Sequence, residues 1–274
     1  RKLIFIKWQE ALGGQVRCVA SGSSALQVRL ARIFNAAGIP LMEGYGLTET
    51  SPVVSVNDAR NDGLRFGTVG KASSNVQVRI AADGEILCKG PNVMIGYYNE
   101  PELTREVLDA DGWFHTGDIG ELTPEGFLRI TDRKKEMFKT SGGKYVAPQL
   151  IENRLKSSRL VEQVIVIGEY RKFPAALIVP NFDALQERCT QGGIPFTDRA
   201  SAVKDPRVIA CFKNAVDMVN KDLGHWEQIK KFALLDQEFT IDGGELTPKL
   251  SLRRKAILEK RAAVVEEIYA GSDL

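Results

Sequence analysis

The spacing of apolar and polar residues divides the chain into stretches of different period. Leu26, Leu30, Ile33, Phe34 and Ala37 recur at helical spacing, and Gly38 ends that run before the extended Ile39-Pro40-Leu41-Met42, so a helix-to-strand unit is predicted there. From about Thr68 to Ile130 the period shortens to that of strands. Val76, Val78 and Ile80 precede an Asp83-Gly84 turn, and Ile86 and Cys88 follow it. A second hairpin is read from Ile119 to Leu122, the Pro124-Glu125-Gly126 turn, and Phe127 to Ile130. The region is expected to form a small antiparallel barrel or sheet. The polar run Asp132-Arg133-Lys134-Lys135-Glu136 interrupts the strand pattern and precedes a Gly-Gly loop, which marks a domain boundary. Beyond it, Pro148 suits the first turn of a helix reaching about Leu155, and strands are predicted from Val164 to Ile167 and from Ala175 to Val179. Val208, Phe212, Ala215 and Val219 make a further helical stripe. The last helix is expected to carry Leu258, Ala262, Val265 and Tyr269 on one face, beside Ile257, Val264 and Ile268.

Composition narrows the function classes. The 37 basic residues nearly cancel the 35 acidic ones, so charge gives no reason to expect nucleic acid or an anionic membrane as the main partner. Cys18, Cys88, Cys189 and Cys211 lie far apart without CxxC spacing, against both a zinc cluster and a disulfide framework, and a reducing cytoplasm fits best. With only His115 and His225, a histidine metal site or a His-driven triad has little to work with. No apolar run approaches the roughly 20 residues of a membrane span, so membrane contact is expected to be at most peripheral. The opening Arg1-Lys2-Leu3-Ile4-Phe5 has no starting Met, signal-peptide pattern or cap, and the chain is expected to be a fragment.

The strongest local signal is Tyr45-Gly46-Leu47-Thr48-Glu49-Thr50, which gathers a ring, a hydroxyl and a carboxylate within five residues. Those groups suit a nucleotide: a ring can stack on adenine, the Thr48 hydroxyl can donate to a phosphate oxygen, and Glu49 can hold the hard Mg2+ that neutralises it. The segment resembles the YGxTE motif of adenylate-forming enzymes, the superfamily of acyl-CoA synthetases, luciferases and peptide-synthetase adenylation domains. Other stretches resemble that superfamily in the same order. Ser21-Gly22-Ser23-Ser24-Ala25-Leu26 is similar to the SGGAPL loop that passes along adenine, with Ser23 in place of a family Gly. Gly84-Glu85-Ile86-Leu87, Gly90-Pro91, Gly96-Tyr97 and Pro101 resemble a signature expected to be structural. Trp113-Phe114-His115-Thr116-Gly117-Asp118 resembles the WxxTGD segment, whose Asp accepts hydrogen bonds from both ribose hydroxyls, while His115 is expected to be a packed neighbour.

The run from Asp132 to Glu136 resembles the family's interdomain hinge, which implies that Arg133 contacts ribose or phosphate and that Lys135 is the pivot. The following Lys139-Thr140-Ser141-Gly142-Gly143-Lys144 resembles the lining of the channel for the pantetheine arm of coenzyme A. Gly142 and Gly143 are its candidate residues, since a Cβ would block close approach to the backbone. Gly244-Glu245-Leu246-Thr247-Pro248-Lys249-Leu250-Ser251-Leu252-Arg253-Arg254 occupies the place of the catalytic-lysine segment, where an ammonium stabilises charge developing on phosphate and carboxylate. Aligned on the TGKLxxR form the lysine is Lys249; aligned on TPTLKLxR the position is Ser251. Lys172 to Pro180 and Glu227 to Leu235 look like long-chain fatty acyl-CoA synthetases in particular.

The resemblance implies an α/β class with α+β mixture: the end of an α/β nucleotide-binding subdomain over 1–60, an antiparallel β-barrel portion over 61–131, and a smaller mobile α+β lid domain over 132–274. It implies a two-step ligase that uses ATP and Mg2+ to make a fatty acyl-adenylate and then transfers the acyl group to coenzyme A. No STGTTGxPKG-type phosphate loop is present, and the family carries that loop and the acyl tunnel upstream, so the expected partner is a missing N-terminal half and the chain alone is expected to be inactive. The alternatives are a fatty acyl-AMP ligase or another acyl- or aryl-CoA ligase, and, from another class, a non-catalytic interaction module.

Overall fold

The computed structural model describes residues 2–60 and 62–271, and the sequence-based limits at 1, 61 and 274 lie outside those residues. The chain divides into one unit ending at Lys135 and another beginning at Glu136.

The first unit opens with α1 (Lys2–Ala11), β1 (Val19–Ser21), α2 (Val28–Ala36) and β2 (Leu41–Gly46), followed by a 3-10 turn over Thr48–Thr50, β3 (Val53–Val56) and β4 (Lys71–Ala72). β1 and β2 are parallel, joined by the α2 crossover, while β3 and β4 add antiparallel strands beyond β2. The predicted helix-to-strand unit is therefore present. Its apolar stripe is not fully covered, for Ala31 and Ala37 are buried while Leu30 and Ile33 are each 36% exposed.

A four-stranded antiparallel meander follows: β5 (Gln77–Ile80), β6 (Glu85–Lys89), β7 (Phe114–Leu122) and β8 (Leu128–Arg133), with α3 (Pro101–Val107) inserted between β6 and β7. The Asp83-Gly84 turn joins β5 to β6, as its composition predicts. β7 begins five residues earlier than the expected strand at Ile119, because the WFHTGD segment is itself extended and pairs with β6. Backbone hydrogen bonds from Val69 to Leu128 and from Leu128 to Gly70 join the two sheets into an antiparallel half-barrel. Tyr45, Val54, Val69, Ile86, Cys88 and Leu128 form its buried centre.

The second unit begins with the hairpin β9 (Phe138–Lys139) and β10 (Tyr145–Val146), then α4 (Pro148–Leu155), β11 (Val161–Ile167) and β12 (Ala175–Pro180). α5 (Phe182–Gly192), the short α6 (Arg199–Ala202), α7 (Pro206–Asn220), β13 (Lys231–Leu234), α8 (Arg254–Lys260) and α9 (Ala262–Tyr269) complete it. β12 is central, antiparallel to β11 and parallel to β13. Every residue from Ala175 to Val179 is fully buried, which explains the unbroken apolar run: a strand covered on both faces has no solvent side to alternate with. On α7 the buried stripe is Val208, Phe212 and Val216, with Ala215 and Val219 at its margin.

The expected single last helix is two, α8 and α9, meeting at Arg261, whose guanidinium approaches the buried Glu245 carboxylate at 3.4 Å. The buried residues there are Ile257, Ile268 and Tyr269, whereas Ala262 is exposed. Leu258, Val264 and Val265 pack partly buried against the same core, so the predicted face is kept except at Ala262, next to the break at Arg261.

A buried ion pair organises this unit. Arg254 donates to both oxygens of Glu152 at 2.7 and 2.8 Å, to the Val166 carbonyl, and through Nε to Glu136 at 3.1 Å. Glu152 also accepts the Val166 N–H at 2.7 Å. Deleting one partner of such a pair leaves an uncompensated charge in a dry site. Arg254→Met is thus expected to destabilise the second unit by about 3–5 kcal/mol. Denaturant unfolding followed by Trp226 fluorescence in a Trp8→Phe, Trp113→Phe background checks this; an unchanged midpoint would refute it.

Candidate active site

The parallel strands β1 and β2 run side by side, with Ser21 at the carboxyl end of β1 opposite Glu43, and β2 continues three residues further to Gly46. In open α/β sheets that edge is where ligands bind, because the loops leaving it are free to vary while the strands hold them in place. The loop after β1 contains Ser23, exposed and left-handed at φ 65°. This backbone accounts for the glycine that the resemblance puts at that position, since a Cβ disfavours the left-handed region. The loop is tied to β2 by Glu43, whose Oε1 accepts the Leu26 N–H at 2.8 Å.

Tyr45 and Gly46 end β2. A Cβ on Gly46 would lie 1.6 Å from the Pro52 carbonyl oxygen, so only glycine lets the chain turn back into β3 here. Thr48 is exposed on the following turn, while Thr50 is fully buried and its hydroxyl bonds to the Leu47 and Pro52 carbonyls. Glu49 is half-buried and accepts the Tyr97 hydroxyl at 2.9 Å, which leaves its second oxygen available to a cation.

Tyr45 donates its hydroxyl to Asp118 Oδ2 at 2.7 Å, across 73 residues of sequence. Both side chains are buried. Asp118 faces Arg133 across the β7–β8 ladder, with Arg133 Nε 3.4 Å from Oδ1. Burial pushes the Asp118 carboxyl up, and the Tyr45 hydroxyl and the Arg133 charge pull it partly back. Burial first, and then the Asp118 charge, push the Tyr45 phenol well above its usual range, so it is a donor throughout the physiological range. The ring contributes here by orienting a carboxylate.

Asp118 is aimed by a local distortion. Glu85 pairs with Ile119 and Leu87 with His115, so β7 carries two extra residues opposite β6, and Gly117 sits among them at φ 71°. The distortion turns the Gly117 N–H onto Glu85 Oε1 at 2.9 Å. The buried Glu85 carboxylate also receives His115 Nδ1 at 3.1 Å and Lys134 Nζ at 2.9 Å. Burial raises its affinity for a proton, yet Lys134, His115 and the Gly117 N–H together hold it below the usual carboxylate range.

The sequence-predicted residues therefore gather in part. Within the first unit Tyr45, Asp118 and Arg133 are brought into one cluster, and Ser23, Gly46, Thr48 and Glu49 lie on the loops at the ends of β1 and β2. Lys135 is exposed at the end of this unit. In the second unit, Gly142 and Gly143 form the exposed β9–β10 turn. Gly143 is left-handed at φ 74° and closes the turn through its N–H to Thr140, whereas a Cβ on Gly142 would meet nothing closer than the Thr140 hydroxyl at 3.9 Å. Lys249 lies exposed in a tight turn closed by the Leu250 N–H to Thr247, with Leu250 left-handed at φ 61° and Ser251 paired back to Thr247. That is the layout of a three-residue hairpin loop, and it puts the ammonium at the tip.

Sequence reading missed two carboxylates. Glu85 passed as structural although it supports Asp118 directly, and Glu43 went unremarked inside the apolar stretch that ends in Tyr45. A carboxylate within a run of strand residues was the available signal for both.

Family models match this chain twice, as AMP-binding enzyme over residues 4–98 and as AMP-binding enzyme C-terminal domain over residues 136–273. The chain belongs to the AMP-binding enzymes. It is 41% identical over 272 residues to the long-chain-fatty-acid CoA ligase FadD15 of Mycobacterium bovis, covering 98% of this chain and 44% of that protein. It is 36% identical to long-chain-fatty-acid CoA ligase 5 of Mus musculus, covering 98% and 41%. The chain thus spans less than half the length of these curated relatives. Among solved structures of AMP-binding enzymes, the A-PCP didomain of carboxylic acid reductase from Segniliparus rugosus, in complex with AMP, aligns at a TM-score of 0.73 with 25% identity, over 98% of this chain and 37% of that one.

Two predictions test the site's construction. Ser23→Gly is expected to stabilise the first unit by about 0.5–1 kcal/mol, as the left-handed loop loses its Cβ, and thermal unfolding measures it. Glu43 concerns pH. Burial raises its carboxyl to about 7 against an ordinary 4.5, and the Leu26 N–H offsets this in part. Between those values the folded chain binds more protons than the unfolded one, so stability falls as pH rises through the window. Glu43→Gln should match the parent near pH 4.5 and exceed it at pH 8 by on the order of 1 kcal/mol; equal pH profiles would contradict this.

Proposed function

We propose that the complete protein activates a long-chain fatty acid with ATP, releasing pyrophosphate to give the acyl-adenylate, and then transfers the acyl group to coenzyme A with release of AMP. The observation that carries this reading is the buried Tyr45–Asp118 pair, with the exposed Arg133 beside it, in a chain that aligns over 98% of its length with long-chain-fatty-acid CoA ligases. Asp118 supplies two acceptor oxygens, one held by Tyr45 and one only loosely approached by Arg133, which suits a vicinal diol such as a ribose. Thr48 donates to phosphate, and Ser23 lies along the base.

Glu49 would hold Mg2+. The free carboxylate oxygen fits a hard cation that keeps several waters and takes one or two carboxylates alongside phosphate oxygens, and among the described residues no group of three or more His, Cys, Asp or Glu stands ready to cage a metal alone. The ion's contribution when bound is to neutralise phosphate charge. Lys249, at the tip of its turn, is the cation that stabilises the first transition state, in preference to Ser251, which carries no charge. Gly142 admits the pantetheine arm, a role supported by the lack of any steric need for glycine within its own hairpin. Rotation about Lys135 exchanges the lysine turn for the glycine turn between the two steps.

The upstream half that this reading requires would cover the apolar residues left open on the first unit, including Ile4, Ile6, Leu30 and Ile33. No helix among the described residues is long and apolar enough to cross a membrane, and we place the enzyme in the cytoplasm with at most peripheral membrane contact.

The test is to restore the upstream half and follow AMP release with fatty acids of graded length, with and without coenzyme A. Acyl-CoA formation is expected from the complete chain and none from these 274 residues alone. A complete enzyme that released pyrophosphate but never consumed coenzyme A would be an acyl-AMP ligase, and one that exchanged no labelled pyrophosphate into ATP would be no ligase. In the complete chain Lys249→Ala should slow acyl-adenylate formation by about 10²–10³-fold while preformed acyl-adenylate is still converted to thioester. Equal loss of both steps would remove Lys249 from that role.

A further inference from the structure

The loop between β6 and α3 is fastened to the 3-10 turn that carries Thr48 and Glu49. Asn92 Nδ2 donates to the Val53 carbonyl at 3.0 Å, the Met94 N–H to the Glu49 carbonyl at 2.8 Å, and the Tyr97 hydroxyl to Glu49 Oε1 at 2.9 Å. Glu49 is thus held through both its main chain and its side chain. The loop is itself built to place Tyr97. The Tyr97 N–H donates to Thr104 Oγ1 on α3 at 2.9 Å, and the Thr104 hydroxyl donates to the Glu100 carbonyl at 2.8 Å. A Cβ on Gly96 would lie 2.9 Å from the Thr104 side chain, so any larger residue there would displace the group that receives the Tyr97 N–H. Ile95 and Tyr98, to either side, face solvent, while Tyr97 is half-buried. The geometry points to Tyr97 as the residue that positions Glu49 for a divalent cation, a role that rests on the reading of Glu49 given above.

A glutamate side chain on a surface turn sweeps its carboxylate through many positions, and an ion that takes one oxygen has to arrest that motion. The Tyr97 hydroxyl arrests it beforehand by occupying Oε1, which leaves the other oxygen to the ion. A phenol suits this task better than Lys or Arg, because it orients the carboxylate without cancelling the charge that attracts the cation. Tyr45 treats Asp118 in the same way, so each of the two carboxylates of the site has one oxygen held by a neutral hydroxyl. Tyr97 is a positioning residue, and groups that hold a metal's ligand rather than the metal are typically worth roughly 10–100-fold in metal affinity.

The test needs no turnover. The complete protein is loaded with an ATP analogue whose α and β phosphates are joined by a methylene group, so that pyrophosphate cannot leave. Mn2+, which takes the same oxygen ligands as Mg2+, is then titrated in and its free fraction read by electron paramagnetic resonance. Tyr97→Phe is expected to weaken Mn2+ binding by about tenfold and Glu49→Gln by at least as much, with the double variant no weaker than Glu49→Gln alone. Binding of the analogue without metal should be unchanged in Tyr97→Phe, which a merely structural loss would not allow. Thr104→Val removes the acceptor of the Tyr97 N–H without touching the carboxylate; it should weaken Mn2+ by a smaller factor, and it replaces Tyr97→Phe should that variant fail to fold. Full Mn2+ affinity in Tyr97→Phe beside a loss in Glu49→Gln would overturn the role of Tyr97 and leave Glu49 as the metal carboxylate. Full affinity in both would remove Glu49 from the metal, and Tyr97 would have nothing to position. Equal weakening of the metal-free analogue would make Tyr97 a structural residue only.

Discussion

Asp118 has to keep a charge where burial opposes charge. It is 6% exposed, and an ionised carboxylate in such a place persists only if donors replace the water it has lost. The first unit is arranged around that requirement. Tyr45 comes from the end of β2 to donate to one oxygen, and Arg133 comes from β8, the strand beside Asp118, toward the other. The contact therefore also fixes how the parallel and antiparallel portions of this unit meet, since it joins positions 73 residues apart. The bulge at Gly117 and the Glu85 carboxylate beneath it complete the arrangement, because a regular β7 would turn its N–H groups into the ladder and leave Glu85 without one of its donors.

The second unit meets a similar problem differently. Glu152 and Arg254 are both largely out of water, and they satisfy one another through Arg254 Nη2, which donates to both Glu152 oxygens, with the Val166 backbone supplying a further donor and acceptor. Buried ion pairs add little net stability over apolar residues of the same volume, but they tolerate few arrangements. Here the arrangement they enforce is the attachment of α8 to α4 and β11, three segments whose mutual placement an apolar core of Val, Ile and Leu would leave less strictly determined.

Much of this could be read from the chain. The half-barrel was legible because its strands alternate and its turns carry Asp-Gly and Pro-Glu-Gly, and the α2–β2 unit was legible because Gly38 punctuates a helix before an extended run, whereas the three-residue β1 that pairs parallel with β2 was not read. The segment containing Tyr45 and the segment containing Asp118 were each recognised, and their meeting was implied by resemblance rather than by period. What escaped was set by tertiary partners. The break between α8 and α9 falls at Arg261, which leaves Ala262 exposed and meets Glu245, a partner sixteen residues earlier. The importance of Glu85 depends on donors from β7 and from Lys134, neither of which a local window contains. Ser23 is an instructive case: a departure from the expected glycine in sequence, it keeps the backbone that glycine would have had.

The stitching of Leu128 to Val69 and Gly70 has a consequence for how this chain behaves among its neighbours. A meander of four strands has two open margins, each able to template another molecule's backbone. The stitch occupies the β8 margin over part of its length with the chain's own main chain. At the β5 margin, the outward residues are Gln77 and Arg79, and the Arg79 guanidinium lies 4.5 Å from the Trp113 ring centre, a hydrated and charged border unsuited to stacking against a copy of itself. The antiparallel half of the first unit is thus guarded against sheet-to-sheet aggregation by one internal seam and one charged rim.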